Sequence, residues 1–393
     1  MREHNKNIIL ILISITVCIT LFELLVRFIR PQPTYSILLS KIGGYWSSSS
    51  DTTFTLRPNY TGTQPSMEYP EKLVQISINS LGLRGAEPDD RPKVLIIGDS
   101  YTFGLFVDDT ETYPAVLQVF LNKNSKNYQV LNAGYASGFD TDQQYVWLKS
   151  NIEHYKPKVV VLGAFLGNDI IGIYPDAWAD IDNDGLPSKY INKEIVVTQT
   201  GILRDAKPTQ NTVGVDWFYK VPIIRDSHLF IIAEKSIENI ADSFKKKDTD
   251  KTSKQPYPED YFQHLFGVYT DNFLHKEALF FQLVSAMNML CKDNGVKFFV
   301  VLLPINFIVE KEKIELVLPH SKYKDSNSDY YKKVEKKLED RNIPVLNIEE
   351  KMLDSHAGPF FPKNGEVHFN PNGDAFVGEE IYKFLQTGEY LSK

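Results

Sequence analysis

KVLIIGDS, residues 93–100, is the stretch on which the fold turns. Four apolar side chains follow one another from Val94 to Ile97, and Gly98-Asp99 ends the run. A strand with one wet face would alternate apolar and polar residues. This one does not, so it is expected to be buried on both faces, as strands of a covered parallel sheet are. The same rhythm returns in YQVLNAG (128–134), PKVVVLGAF (157–165), VKFFVVLLP (296–304) and IPVLNIEE (343–350). Helical spacing fills the intervals. TETYPAVLQVFLNK carries a threonine able to cap, and DNFLHKEALFFQLVSAMNMLCKDNG ends at Gly295. TDQQYVWLKSNIEHY, DYYKKVEKKLEDRN and the closing NGDAFVGEEIYKFLQ are further helices. The spacing predicts a three-layer α/β/α domain over 91–393 with a parallel five-stranded sheet. From about 170 to 270 the rhythm breaks. EIVVTQT, SHLFIIAEKSIENIADSF and the basic run KKKDTDKTSK give mixed signals there, and the segment reads as a large insertion beside the active face.

The chain has 393 residues, 42% of them hydrophobic and 24% charged, enough to pack a core. Lys and Arg number 43 against 50 Asp and Glu, a net charge of −7 that argues against nucleic acid as a partner. The two cysteines, Cys18 and Cys291, lie in unrelated contexts, so no disulfide framework is expected. Residues 1–30 differ from the rest. Ile8–Phe22 is an apolar or hydroxyl run, interrupted by Glu23 and resumed by LLVRFI. About twenty residues span a bilayer core. With no small-x-small site before Arg30, this reads as an uncleaved, single-pass membrane anchor rather than a signal peptide. Positive residues flank both ends and do not fix its orientation; the large domain is expected outside. Residues 31–90 read as a stalk and edge segment, with VQISINSLGLRG (74–85) suited to an edge hairpin.

Open parallel sheets bind ligands at the carboxyl ends of their strands. There the sequence places Ser100 after the first strand, Gly138 after the second and Asn168 after the third; Glu366 and His368 follow the fifth. These residue types suit acyl transfer. A serine hydroxyl needs a base to take its proton, and an imidazole can accept and return one near neutrality. A carboxylate on the other ring nitrogen holds the tautomer, and the oxyanion needs fixed donors. The backbone N–H groups of Ser100 and Gly138 and the Asn168 amide are candidates for those donors. Each residue also has a plainer reading. Ser100 and Asn168 can cap, Gly138 can serve backbone conformation, and His368 can be an ordinary surface or core histidine.

Four blocks in this order resemble the SGNH (GDSL) hydrolases: VLIIGDSYTFG, VLNAGYASGFDTDQQ, VVVLGAFLGNDI and VHFNPNGDAFVGEEI. The likeness covers roughly 93–170 and 280–390, and leaves the insertion and the stalk outside. It implies a flavodoxin-like sheet, serine esterase chemistry and no cofactor. Ser100 matches the nucleophile, Gly138 and Asn168 the oxyanion residues, and His368 the base. Implied substrates are acyl esters of carbohydrates, lipids or small molecules. An O-acyltransferase acting on a surface polysaccharide, or a non-catalytic glycan binder, would share the site. The chain departs from the pattern at the acid. Many members have Asp three residues before the histidine, where this chain has Gly365; a second arrangement puts the acid two before, where it has Glu366. The acid is therefore Glu366, a carboxylate from elsewhere, or absent from a Ser–His dyad. Asp99 is expected to point into its turn, and Asn370 and Gly373 to start the last helix.

DIDNDG (180–185) resembles the start of a calcium loop, but its twelfth position is Ile191 where a bidentate Glu is needed. An Asx-rich turn is the expectation, with no metal. Trp178, Trp217, Phe218 and Tyr219 form either a sugar-stacking surface or the insertion's own small core.

Overall fold

Residues 2–29, 44–66 and 72–391 are described by a computed structural model, except 125, 200, 207–220, 222–226, 234–235, 237–257, 259, 320 and 356. The buried apolar runs become one sheet: β1 (Lys93–Gly98), β2 (Gln129–Gly134), β3 (Val159–Phe165), β4 (Lys297–Leu303) and β5 (Val345–Asn347). The spatial order is β5-β4-β3-β1-β2, and every neighbouring pair is parallel. All seven residues of the central β3 are buried, which is why its sequence has no polar face.

Handedness then assigns the helices to the two layers. The chain leaves β1 for β2 in one direction and returns past β1 to β3 in the other. Right-handed crossovers in opposite directions lie on opposite faces. Tyr113–Lys123 thus covers one face and Thr141–Tyr155 the other. Asp271–Asp293 packs on Thr141–Tyr155, and the final helix Pro371–Thr387 packs on Tyr113–Lys123. The predicted caps form. Thr112 Oγ1 accepts the Ala115 N–H at 3.3 Å, and Asn370 Oδ1 accepts those of Asn372 and Gly373 at 2.9 and 3.0 Å.

Upstream of the sheet, Trp46–Ser49 pairs with Thr53–Leu56, and Tyr60–Pro65 with Leu73–Ile78, both antiparallel. Tyr45, Trp46, Phe54, Leu56, Val74 and Ile76 share the main hydrophobic core, so from residue 44 onward the segment is packed rather than extended as a stalk. VQISINSLGLRG folds back on itself only at the Ile78–Arg84 bridge. Its long partner is the upstream Tyr60–Pro65, and Arg84 bridges in turn to Asn132 of β2.

Two small hairpins begin the insertion, Trp178–Ile181 with Pro187–Tyr190 and Ile195–Val197 with Leu203–Asp205. DIDNDG makes the first of these turns. Asp182 Oδ1 accepts the N–H groups of Asp184 and Leu186, each at 3.0 Å, while Oδ2 pairs with Lys149 Nζ at 2.7 Å. This is the expected Asx turn. Trp178 donates to Asp142 Oδ2 at 2.8 Å and packs with Val146, Ala177 and Tyr190, so it belongs to a small core. Trp217, Phe218 and Tyr219 lie outside the described residues.

Arg2–Ile29 is helical, and Lys6–Ile29 is long and apolar enough to cross a membrane. Glu23 on this helix does not stand alone. It accepts from Arg27 Nε at 2.7 Å, Ser227 Oγ at 2.9 Å, and the His228 and Leu229 N–H groups at 3.0 and 2.9 Å. A helical stretch of the insertion, 228–233, therefore starts on a carboxylate of the apolar helix.

Candidate active site

The carboxyl end of β1 turns into one helical turn, Ser100–Phe103, capped by Asp99 Oδ1 on the Tyr101 N–H at 2.9 Å. That turn lies directly on the sheet, which needs an unusually flat place. Gly98 pairs in register with Gly134 of β2 and Gly163 of β3. A Cβ on Gly98 would meet Thr102 Oγ1 at 2.1 Å, one on Gly134 the Phe103 N at 2.2 Å, and one on Gly163 the Tyr113 hydroxyl at 2.4 Å. Three side-chain-free positions thus seat the turn that presents Ser100. Gly134→Ala meets only backbone, with Thr102 C at 2.5 Å and Phe103 Cα at 2.8 Å next in line, so nothing flexible can yield. It is expected to destabilise by about 1–3 kcal/mol, as overpacking does. The same displacement should lower kcat. Thermal melting and ester turnover check this, and unchanged values for both would refute the seating role.

The loop after β5 brings His368 to Ser100. His368 Nε2 lies 2.8 Å from Ser100 Oγ, and His368 Nδ1 lies 2.6 Å from Glu366 Oε1. The same Glu366 oxygen accepts the N–H groups of Val367 and His368, at 3.0 and 3.4 Å. Burial would raise the Glu366 carboxyl. The His368 hydrogen bond and charge, with the two backbone N–H groups, outweigh it and hold the carboxyl below its usual range. Glu366 is therefore a carboxylate wherever the imidazole is to act as a base. Tyr101 and Phe106 flank the imidazole with ring centroids 5.0 and 5.3 Å away, and the Tyr101 hydroxyl donates to the Val367 carbonyl.

Residues not singled out from the sequence hold this loop in place. Asn306, fully buried just after β4, donates from Nδ2 to the carbonyls of Gly365 and Glu366 at 3.2 and 3.0 Å. Lys313 Nζ donates to the carbonyls of Phe361 and Pro362 at 2.9 and 2.6 Å, and Glu310 accepts the Phe360 N–H at 2.7 Å. On the other side, buried Arg84 donates to the carbonyls of Phe103 and Val107 at 2.6 and 2.7 Å, fixing the segment that carries Phe106. Asn306 was findable in principle, as a polar residue at a strand's carboxyl end. Arg84 and Lys313 had no such signal: neither stands at a strand's carboxyl end, and their ion pairs with Asp109 at 3.0 Å and Glu310 at 2.9 Å do not name the carbonyls they hold.

Asn168 follows β3 and is half-buried; its Nδ2 donates to Asp99 Oδ2 at 3.1 Å. Asp99 thus caps its turn, as expected, and also reaches Asn168. Gly138, in the loop after β2, is exposed with φ +42°, in the left-handed region that favours glycine, and open space lies where a Cβ would point. Its identity answers to backbone conformation, not to crowding. The structure thus joins Ser100, His368 and Glu366 by hydrogen bonds and ties Asn168 to Asp99, the residue before Ser100. Chemically, this is a hydroxyl with a base in contact and a carboxylate behind the base, the arrangement of nucleophilic acyl transfer.

No family model matches this chain, and no curated protein matches it. Solved structures are similar to it at low identity. TesA is 12% identical, with 75% of this chain and 98% of that one covered at a TM-score of 0.38. A lipase/acylhydrolase from Enterococcus faecalis is 13% identical, covering 76% and 96% at 0.37. A catalytic mutant of an acetylxylan esterase from Geobacillus stearothermophilus is 13% identical, covering 75% and 93% at 0.35.

Proposed function

We propose that this chain is a serine esterase that hydrolyses acyl esters of a carbohydrate or lipid. The observation that supports it is the unbroken path from Ser100 Oγ through His368 to Glu366, 2.8 and 2.6 Å long at its two links. Ser100 Oγ attacks the ester carbonyl carbon while His368 Nε2 takes its proton, and Glu366 balances the imidazolium. The carbonyl oxygen becomes an oxyanion, met by the N–H groups of Ser100 and Gly138 and by the Asn168 amide. Collapse breaks the ester C–O bond, and His368 returns the proton to the leaving alcohol. Water, deprotonated by His368, then releases the acid and restores Ser100. No metal or cofactor enters this cycle. The apolar helix serves as a membrane anchor, with the catalytic domain on the outer side.

One experiment tests chemistry and placement together. A membrane-impermeant fluorophosphonate added to intact cells should label the full chain in the membrane fraction, with the adduct mapped by mass spectrometry to Ser100. Labelling only after lysis would overturn the outward placement. No label on Ser100 in folded protein, before or after lysis, would overturn the esterase and leave the fold as a binding scaffold.

A further inference from the structure

We propose that Asp99 is a positioning residue for the oxyanion hole: it holds one N–H of Asn168 Nδ2 and so leaves the second as the oxyanion donor. The inference rests on the esterase reading above. An amide side chain offers nitrogen on one side and oxygen on the other, and a half-turn exchanges them. Only one of the two orientations puts a donor at the oxyanion; the other puts a lone pair there. Asn168 Nδ2 is fixed by Asp99 Oδ2 at 3.1 Å, whereas Asn168 Oδ1 is buried and has no hydrogen-bond partner among the described residues. The Asp99 contact therefore selects the orientation, because a flip would set the amide oxygen against a carboxylate.

Asp99 is well placed to enforce this. It is fully buried, and its other oxygen is already committed to the Tyr101 N–H at 2.9 Å. It is also the covalent neighbour of Ser100, so one residue fixes both nucleophile and oxyanion donor. Burial pushes the Asp99 carboxyl up to about 6, while the Tyr101 N–H, the His368 charge and the Asn168 amide restrain the rise. Asp140, Asp169 and Tyr113 also face Asp99 electrostatically, and burial raises all three, favouring their neutral forms. The role requires Asp99 as an ionised acceptor, so it is tested on the alkaline side of neutrality.

A double-mutant cycle on the full chain in detergent at pH 8 decides the matter. In Asp99→Asn, the new side chain must keep its oxygen on the buried Tyr101 N–H, so it turns a donor towards Asn168 and favours the flipped amide. Asp99→Asn is expected to lower kcat for a short-chain aryl ester by about 10²–10³-fold, the cost of one oxyanion donor, with KM within about threefold. In the Asn168→Ala background the same change should cost nothing further, to within about twofold. Asp99→Ser, which retains a capping oxygen too short to reach Asn168, serves if Asp99→Asn does not fold. An equal loss in both backgrounds, or no loss in the first, overturns the proposal. Failure of the esterase reading shows separately, as a wild-type chain no more active than Ser100→Ala.

Discussion

Ser100→Ala is expected to lower kcat by about 10⁴–10⁶-fold, the range seen when an activated serine nucleophile is removed. The substitution deletes one oxygen at a half-buried position and leaves the Asp99 cap, the glycine seat and the His368–Glu366 contact in place. Stability should therefore change little, and a melting curve beside the turnover measurement separates loss of chemistry from loss of fold. The residual rate carries information too. Without the nucleophile, the oxyanion donors and bound substrate can still favour direct attack by water, so a small remainder is expected rather than zero. If Ser100→Ala turned over ester as fast as wild type, another hydroxyl would be the nucleophile and the catalytic assignment would fall.

The layered fold was legible because the buried strands have no polar face, and runs such as VVVLGAF admit few other readings. Strand order was not legible, since it depends on crossover direction rather than on any residue. Ser100, Asn168 and His368 could be singled out as candidates because strand ends in such sheets are where ligands bind. Their supports could be suspected at most by position, as Asn306 at a strand's carboxyl end, and not by partner. The Asn306 contacts to Gly365 and Glu366 span about sixty residues of chain, and a buried asparagine looks the same in sequence whether it holds a loop or a helix end. The glycine seat was half visible. Each strand shows its glycine, but only the register of β1 with β2 and β3 makes the three one surface. Where a stalk gives way to the packed short strands was hidden for a related reason. Ser, Thr and Gly suit a stalk, yet alternate residues such as Phe54 and Leu56 are buried in the common core. The insertion gave mixed signals because its hairpins are short and locally paired, with little periodicity to read.

Glu366 carries the second large effect, and its local geometry predicts an order among substitutions. Three donors converge on Oε1: His368 Nδ1–H at 2.6 Å and the backbone N–H groups of Val367 and His368 at 3.0 and 3.4 Å. In Glu366→Gln those three donors keep the amide oxygen where the carboxylate oxygen was, because the amide nitrogen cannot accept from them. The imidazole then retains its tautomer and loses only the charge that balances the imidazolium. A fall in kcat of about 10²-fold is expected, less than where an asparagine imposes the wrong tautomer. Glu366→Ala removes acceptor and charge together, leaving Nδ1–H unsupported and the loop free to shift; about 10⁴-fold is expected there. KM should move little in either, since neither change touches bound substrate. Equal losses would mean that charge alone matters and the convergence of donors on Oε1 does not. Full activity in Glu366→Ala would return the chemistry to a Ser–His dyad, with the carboxylate reduced to a brace for its own loop.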